Sequence, residues 1–399
     1  MYITEQYHLY RLAYELVAND DYEVLHLNDQ TNELWLEKYD RKTSKVIRLI
    51  HRGFDWKNQL KADITNVFQR IRSLKQYFTN NHVEIYNVYI TSYEPVDDWE
   101  DLKRPIILGN KNLMKMKVFY LSNENFYIEK TRFLQQIGAK IEHTFDEIPI
   151  HDIEHEIDKY KQSLQRSYKA KQEKIKNVFT FGKPRYTYFL IVMNLIAFLL
   201  LELTGGSTNV EHLIESGAKF NPAIMDGEWW RIVTSMFLHI GVFHLLMNML
   251  ALYYLGIAVE SIYGSMRFLI IYFLSGIGGG LTSFAFNYHV AAGASGALFG
   301  LFGALLFFGT VEKRLFKQTM GRNLLLILAI NLVFGFMVPQ IDMGAHLGGL
   351  IAGFVASGIT SVPKHRHKKK QILYIIIYIL ITIFLTWYGI LRNIQFLYF

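Results

Sequence analysis

The 399-residue chain contains no cysteine. That absence removes disulfides, thiolate nucleophiles and cysteine-ligated zinc together. Charge is also missing over one long stretch, since Phe268 to Val311 holds no Asp, Glu, Lys or Arg. As a single helix this stretch would reach about 66 Å, twice the ~30 Å hydrocarbon core of a bilayer, so it predicts two membrane spans. The polar break Asn287-Tyr288-His289 divides them and sets Ser295 a turn or two into the second. Residues 1–20 lack an apolar core after a basic start, which argues against a cleavable signal peptide. The first long apolar block begins near Tyr186.

What is present divides unevenly, with most charge in the first half and uncharged blocks in the second. Residues 1–150 read as a soluble α/β domain. Thr4 to Asn19 has helical spacing of Leu9, Leu12, Leu16 and Val17. Glu33–Tyr39 and Lys45–His51 alternate around a polar turn and predict a hairpin. Trp56–Phe78 is a long amphipathic helix with Leu60, Ile64, Val67, Ile71 and Leu74 on one face. His82–Ile90 and Met114–Leu121 read as strands and Asn125–Ile137 as a helix, which together predict a mixed sheet. Residues 151–185 form a helical, basic connector: His151 to Phe179 is polar with few anchors (Ile153, Ile157, Leu164), and it ends in Lys169, Lys171, Lys174, Lys176, Lys183 and Arg185.

Seven apolar blocks follow: Tyr186–Leu201, Ile232–Val259, two within 268–311, Asn323–Ile341, Met343–Pro363 and Gln371–Leu391. Helices of ~17–25 residues are what such blocks can form, because backbone in lipid must satisfy itself. Lysine and arginine crowd the segment before the first block, the loop with Lys313, Arg314, Lys317 and Arg322, and the loop with Lys364, Arg366, Lys368, Lys369 and Lys370. The long loop after the first span is acidic. By the positive-inside rule the soluble domain is cytoplasmic and the acidic loop lies outside the cell membrane. The net charge of +7 therefore marks topology, with no role in nucleic-acid binding.

With that topology, Ser295, His346 and the pair His244 and Asn248 fall near the outer ends of three different spans. Polar groups in a bilayer usually face one another or a cavity. A serine hydroxyl becomes a nucleophile when an imidazole lies within reach, so Ser295 with His346 points to acyl transfer. His244 and Asn248 share a helix face and, with the Ser295 backbone N–H at a helix start, offer donors to an oxyanion. Gly296, Gly300 and Gly303 on one span and Gly344, Gly348, Gly349 and Gly353 on another let two helices approach closely.

These pieces resemble the rhomboid family of intramembrane serine proteases. The resemblance rests on Glu228-Trp229-Trp230-Arg231, His239 and His244-Leu-Leu-Met-Asn248, Gly256 with Glu260, Gly293-Ala294-Ser295-Gly296 and Ala345-His346-Leu347-Gly348-Gly349, over residues ~180–362. It implies a polytopic α-helical membrane protein: a six-helix core at 186–362, the N-terminal soluble α/β domain, and a basic loop with a seventh helix at 363–399. The seventh span and the enlarged cytosolic domain resemble the rhomboids of Gram-positive bacteria. By resemblance Ser295 is the nucleophile, His346 the base, and His244 and Asn248 line the oxyanion site, with no third acid and no cofactor. Phe299 takes the place of the aromatic that stacks on the histidine. Trp230, Arg231, His239, Glu260, Gly293 and Gly296 are structural supports. The implied partners are transmembrane protein substrates and the lipid bilayer, and the cytosolic domain offers a surface for a cytosolic partner.

Rival readings are weaker. His151-Asp152-Ile153-Glu154-His155 fits the inverted zinc-protease pattern but lies in the polar connector, as a solvated helix face. His239 and His244 are spaced so that their side chains splay, which disfavours a metal site. A catalytically silent, rhomboid-like binding or quality-control adaptor is the alternative; such relatives usually lose the serine or the histidine, and both are present here. The uncharged blocks contain no carboxylate, which argues against a proton- or cation-coupled pump.

Overall fold

The computed structural model describes residues 2–40, 43–74, 82–109, 113–139, 149–338 and 341–398. The chain separates into two compact units, Met1–Lys174 and Ile175–Phe399.

The first unit is a six-stranded mixed sheet covered on both faces. Its elements are α1 (Tyr2–Asn19), β1 (Glu23–Asn28), β2 (Glu33–Tyr39), β3 (Thr43–His51), α2 (Lys57–Leu74), β4 (His82–Ile90), β5 (Ile106–Leu108), β6 (Met114–Leu121), α3 (Phe126–Ile137) and α4 (Ile153–Phe179). The strand order is β1-β2-β3-β4-β6-β5, with β3, β4 and β6 parallel and the other pairings antiparallel. The period-2 rule divides each central strand between two cores. In β4, Val83, Ile85 and Tyr89 face α2, while Tyr86, Val88 and Ile90 face α1 and α3. Burial on both faces explains why these strands read as almost continuous apolar runs. Arg48 is among the charged residues buried here, and is held by Glu33 at 2.6 Å, Asp63 at 2.7 Å and Asn87 at 3.2 Å.

The hairpin β2–β3 and the helices α1 and α3 lie where the residue pattern places them. Leu60, Ile64, Val67 and Ile71 of α2 are buried, but Leu74 is exposed at the helix end. The expected continuation of that helix to Phe78 falls outside the described residues. The connector anchors Ile153, Ile157 and Leu164 pack into the core shared with α1 and α3, so most of α4 belongs to the first unit.

The second unit begins its apolar helices with α5 (Arg185–Thr204). Three short helices follow, α6 (Val210–Glu215), α7 (Asn221–Met225) and α8 (Arg231–Thr234). Next, α9 (Gly241–Ala251) passes through a wider π turn at Leu252–Gly256 into α10 (Ile257–Tyr263). Then come α11 (Ser265–Phe286), α12 (Ser295–Val311), α13 (Lys313–Thr319), α14 (Gly321–Met337), α15 (Met343–Thr360) and α16 (Lys368–Tyr398). Among the described residues five helices are long and apolar enough to cross a membrane, and α13–α14, bent by 72°, make a sixth if taken as one span. The remaining apolar helix, α12, has 17 residues and is apolar all round, as a helix enclosed by others should be. It packs among α11 and α15 at the centre. The second span starts at Gly241, so the Ile232-side of that block forms the approach loop.

One buried carboxylate fastens this bundle. Glu260 in α10 is fully buried and accepts from the backbone N–H groups of Arg185 at 3.0 Å, Tyr186 at 3.1 Å and Thr187 at 2.8 Å. It also accepts from the hydroxyls of Thr187 at 2.8 Å and Ser265 at 2.7 Å. The first N–H groups of α5 have no partner within their own helix, and a negative charge there meets the positive end of the helix dipole. Glu260→Ala leaves the Thr187 donors buried and unpaired and takes this acceptor from the part-buried Arg185 and Tyr186 N–H groups, at a cost of about 3 kcal/mol. Thermal unfolding in detergent should show a lowered midpoint for Glu260→Ala and a smaller drop for Glu260→Gln; equal midpoints would remove Glu260 from this role.

Candidate active site

Ser295 is the first residue of α12, with the loop extending through Ala294. The sequence pattern placed it a turn or two into the span; the chain stays irregular until Gly293, whose φ of +140° only glycine adopts readily. Leu298 N–H to the Ala294 carbonyl, at 3.0 Å, is the first helical hydrogen bond, so the Ser295 N–H precedes the ladder.

Two elements grip this loop from the other side. The Gly293 N–H donates to the Ser235 carbonyl at 2.9 Å, and the Ala294 N–H to His239 Nε2 at 3.4 Å. His239 is fully buried, and its ring meets His244 edge to face at 5.3 Å; the two do not splay as their spacing predicts, because His239 precedes α9 and only His244 is on the helix. A Cβ at Gly293 would lie 2.7 Å from His244 Cε1 and 3.9 Å from Asn248 Nδ2, so glycine is what lets the loop backbone reach these side chains. Asn248 Nδ2 donates to the His244 carbonyl one turn earlier at 3.0 Å, which leaves its second hydrogen for another acceptor.

His346 sits in the first turn of α15, buried, and its ring stacks on Phe299 with centroids 4.1 Å apart and planes at 14°. Its Nδ1 is buried and, among the described residues, no carboxylate or other group hydrogen-bonds to it. Asp342 starts the same helix but is engaged elsewhere, accepting from the Ala345 N–H at 3.0 Å and from the Ser283 hydroxyl. Among the described residues Ser295 and His346 make no hydrogen bond to each other. Catalytic hydrogen bonds often tighten only when substrate is bound.

Backbone contact between α12 and α15 brings the two residues to adjoining helix starts. A Cβ on Gly349 would overlap the Gly296 carbonyl, and one on Gly353 the Gly300 carbonyl. Gly344 and Gly348 instead face α11, through Ser283 and Thr282. A cavity of about 50 Å³ opens beside Ser295, lined in part by Lys219, Ser235, Ser283, Gly296 and Asp342. Its size and polarity suit a few water molecules.

Alignment with known proteins decides what this arrangement belongs to. The rhomboid domain family model matches residues 226–363. The chain is 35% identical over 409 aligned residues to the rhomboid protease GluP of Bacillus subtilis (strain 168), spanning 96% of this chain and 75% of that one. The chain belongs to the rhomboid family of intramembrane serine proteases. It is also 33% identical over 180 residues to the putative rhomboid protease YdcA of the same organism, 45% of this chain and 89% of that one. RHOMBOID-like protein 1 of Arabidopsis thaliana is 45% identical over 136 residues, 32% of this chain and 33% of that one.

Around the rhomboid site, Arg231 fixes the loop before the second span. It pairs with Glu228 at 2.6 Å, donates to the carbonyls of Ile214 and, at 3.2 Å, Ala218, and lies 4.8 Å from the half-exposed Trp230 ring. Sequence reasoning passed over Lys219. This buried amine donates to the carbonyls of Asn287 at 2.5 Å and His289 at 3.1 Å, while its backbone pairs with Ala291. The available signal was a lysine in the middle of a mostly acidic loop.

Gly349→Ala must push α15 off the Gly296 carbonyl, whereas a Cβ at Gly344 meets the Asp342 carboxylate at 3.2 Å and otherwise only the Thr282 and Ser283 backbone at ordinary contact distances of 3.6 and 3.7 Å. A displacement near 1 Å between reacting groups costs about a hundredfold in rate. Cleavage assays should therefore show a loss of about that size for Gly349→Ala and a much smaller one for Gly344→Ala. Equal rates for both would mean that helix contact does not set the geometry.

Proposed function

We propose that Ser295 and His346 act as a catalytic dyad that hydrolyses peptide bonds in or beside transmembrane segments of other membrane proteins. The observation that carries this reading is the seating of both residues at the starts of two helices in backbone contact, with the His346 ring fixed on Phe299. Ser295 Oγ attacks the scissile carbonyl carbon and His346 takes its proton. The oxyanion falls to the Ser295 N–H, His244 and Asn248, which converge where Gly293 brings the loop against the second span. His346 then protonates the leaving amine, the peptide C–N bond breaks, and an acyl-enzyme ester remains. Water from the polar cavity beside Ser295 attacks the ester, and its proton passes through His346 back to Ser295.

The lysine-rich loops support a plasma-membrane topology with residues 1–174 in the cytoplasm and the site opening to the outer face. In that frame the first unit recruits a substrate or a cytosolic partner. A substrate helix must partly unwind at its outer end, because a helical amide is shielded by its own hydrogen bonds; helix-weakening residues there should speed cleavage. No feature of the chain favours the silent-adaptor reading, since Ser295 and His346 are both in place.

The test is cleavage of a transmembrane substrate in liposomes by wild type, Ser295→Ala, His346→Ala and Asn248→Ala, with EDTA as a control. Ser295→Ala and His346→Ala should each lose at least about a thousandfold, and EDTA should change nothing. Asn248→Ala should lose about a hundredfold and keep measurable activity, because two donors remain. Full activity in Ser295→Ala would sink the nucleophile assignment.

A further inference from the structure

The seventh span is the element that the catalytic reading leaves without a role. Only 11% of the apolar window of α16 is buried, so most of it faces away from the bundle. Its C-terminal end is different. Asn393 is buried at 3% exposure, accepts from Asn221 Nδ2 at 2.8 Å, and donates to the carbonyls of Phe284 at 3.2 Å and Gly389 at 2.8 Å. Asn221, in α7 and also buried, points the same Nδ2 at the carbonyls of Phe284 at 3.1 Å and Asn287 at 3.2 Å, so its two hydrogens are shared among three acceptors. Beside them Arg392 donates to the Ala285 carbonyl at 3.3 Å and lies 5.2 Å from the Tyr288 ring. Gly389 permits this approach, since a Cβ there would lie 2.5 Å from the Phe284 ring.

The carbonyls gathered here are those that end α11. Terminal carbonyls of a helix lack partners within it, and in an apolar medium each must find a donor elsewhere. Asn393, Asn221 and Arg392 supply those donors, and Lys219 takes the next ones along the chain, Asn287 and His289. Thus the segment leaving α11 is fixed from the seventh span and α7, while its far end, Gly293 and Ala294, is fixed by Ser235 and His239. Ser295 follows directly.

We propose that Asn393 is a positioning residue for catalysis, through which the seventh span, together with Asn221, fixes the start of the loop that presents Ser295. This rests on Ser295 being the nucleophile. A contact made only for packing would behave like Tyr378 earlier in the same helix, whose hydroxyl donates to the Leu274 carbonyl at 2.9 Å, remote from the loop.

Full-length Asn393→Leu, Asn221→Leu, Tyr378→Phe and Ser295→Ala proteins test this by three readouts: kcat and KM on a transmembrane substrate, the labelling rate with a small fluorophosphonate serine probe, and the thermal midpoint. Asn393→Leu should lower kcat and labelling by at least about tenfold with KM within about twofold, because the reacting atoms and not the docking surface are displaced. Asn221→Leu should do the same, and the double variant should lose less than the two effects combined, since both act on the same carbonyls. Tyr378→Phe should leave both rates unchanged. Wild-type labelling in Asn393→Leu, or an equal loss in Tyr378→Phe, overturns the positioning role. If Asn393→Leu does not fold, the labelling rate of Asn221→Leu decides by the same criterion. Activity surviving in Ser295→Ala defeats the nucleophile reading instead; a dead Ser295→Ala beside a fully active Asn393→Leu defeats only the role given to Asn393.

Discussion

The backbone contact between α12 and α15 is the constraint on which the rest of the membrane unit depends. In lipid there is no hydrophobic drive to press one helix on another, so close packing of small residues must do it. Gly296 against Gly349 and Gly300 against Gly353 supply that packing over two turns. The same contact fixes the lateral distance between the starts of the two helices, where Ser295 and His346 sit. Groups carried on packed helices hold their places more closely than groups on loops, and here the loop residue is the first of a helix already locked by its neighbours. α11 completes the arrangement, with Gly279 against Ala345 and Gly278 against Ala352.

The polar residues around this centre differ widely in what they contribute. Arg231 and Glu228 form a partly exposed pair, the kind worth a few tenths to about 1 kcal/mol. Glu260 is fully buried with five donors, and removing it strands those of Tyr186 and Thr187, since only the Arg185 N–H and the Ser265 hydroxyl keep another acceptor, the Lys183 carbonyl at 2.8 and 3.3 Å. Lys219 lies between: its charge is buried, but carbonyls at 2.5 and 3.1 Å accept from it. All three tie a loop or a helix start to a span, where backbone groups would otherwise face an apolar medium unpaired.

Much of this was legible from residue patterns because the patterns answer to local physics. The α2 stripe and the β2–β3 alternation follow from the 3.6 and 2.0 periods, and the spans follow from length and the absence of charge. β1 and β5 were not seen. They are the two edge strands, β5 has three residues, and their place depends on partners far along the chain. The reading of 151–179 as a connector missed that three spaced apolar residues suffice to dock a helix when the receiving surface already exists. Ser295, His346, His244 and Asn248 stood out as candidates because hydroxyl, imidazole and amide are conspicuous in apolar blocks. Asn221 and Asn393 did not, since 172 residues separate them and only the fold shows that they share a hydrogen bond.

On the dyad reading proposed for Ser295 and His346, the lack of a third acid has a physical account. In a triad the carboxylate sets the tautomer and stabilises the imidazolium that forms, and it needs an environment that keeps it ionised. Beneath a membrane surface a further buried carboxylate carries a large desolvation cost, repaid only by strong partners. Glu260 meets that condition with five donors; a carboxylate facing His346 Nδ1 would have one. The ring of Phe299, parallel to the imidazole at 4.1 Å, orients it without any charge. On the dyad reading, the phenyl ring takes over the orienting part of the acid's role. Stabilisation of the imidazolium is then left to the ring face and to the oxyanion that forms beside it, both of which act more strongly where water is scarce.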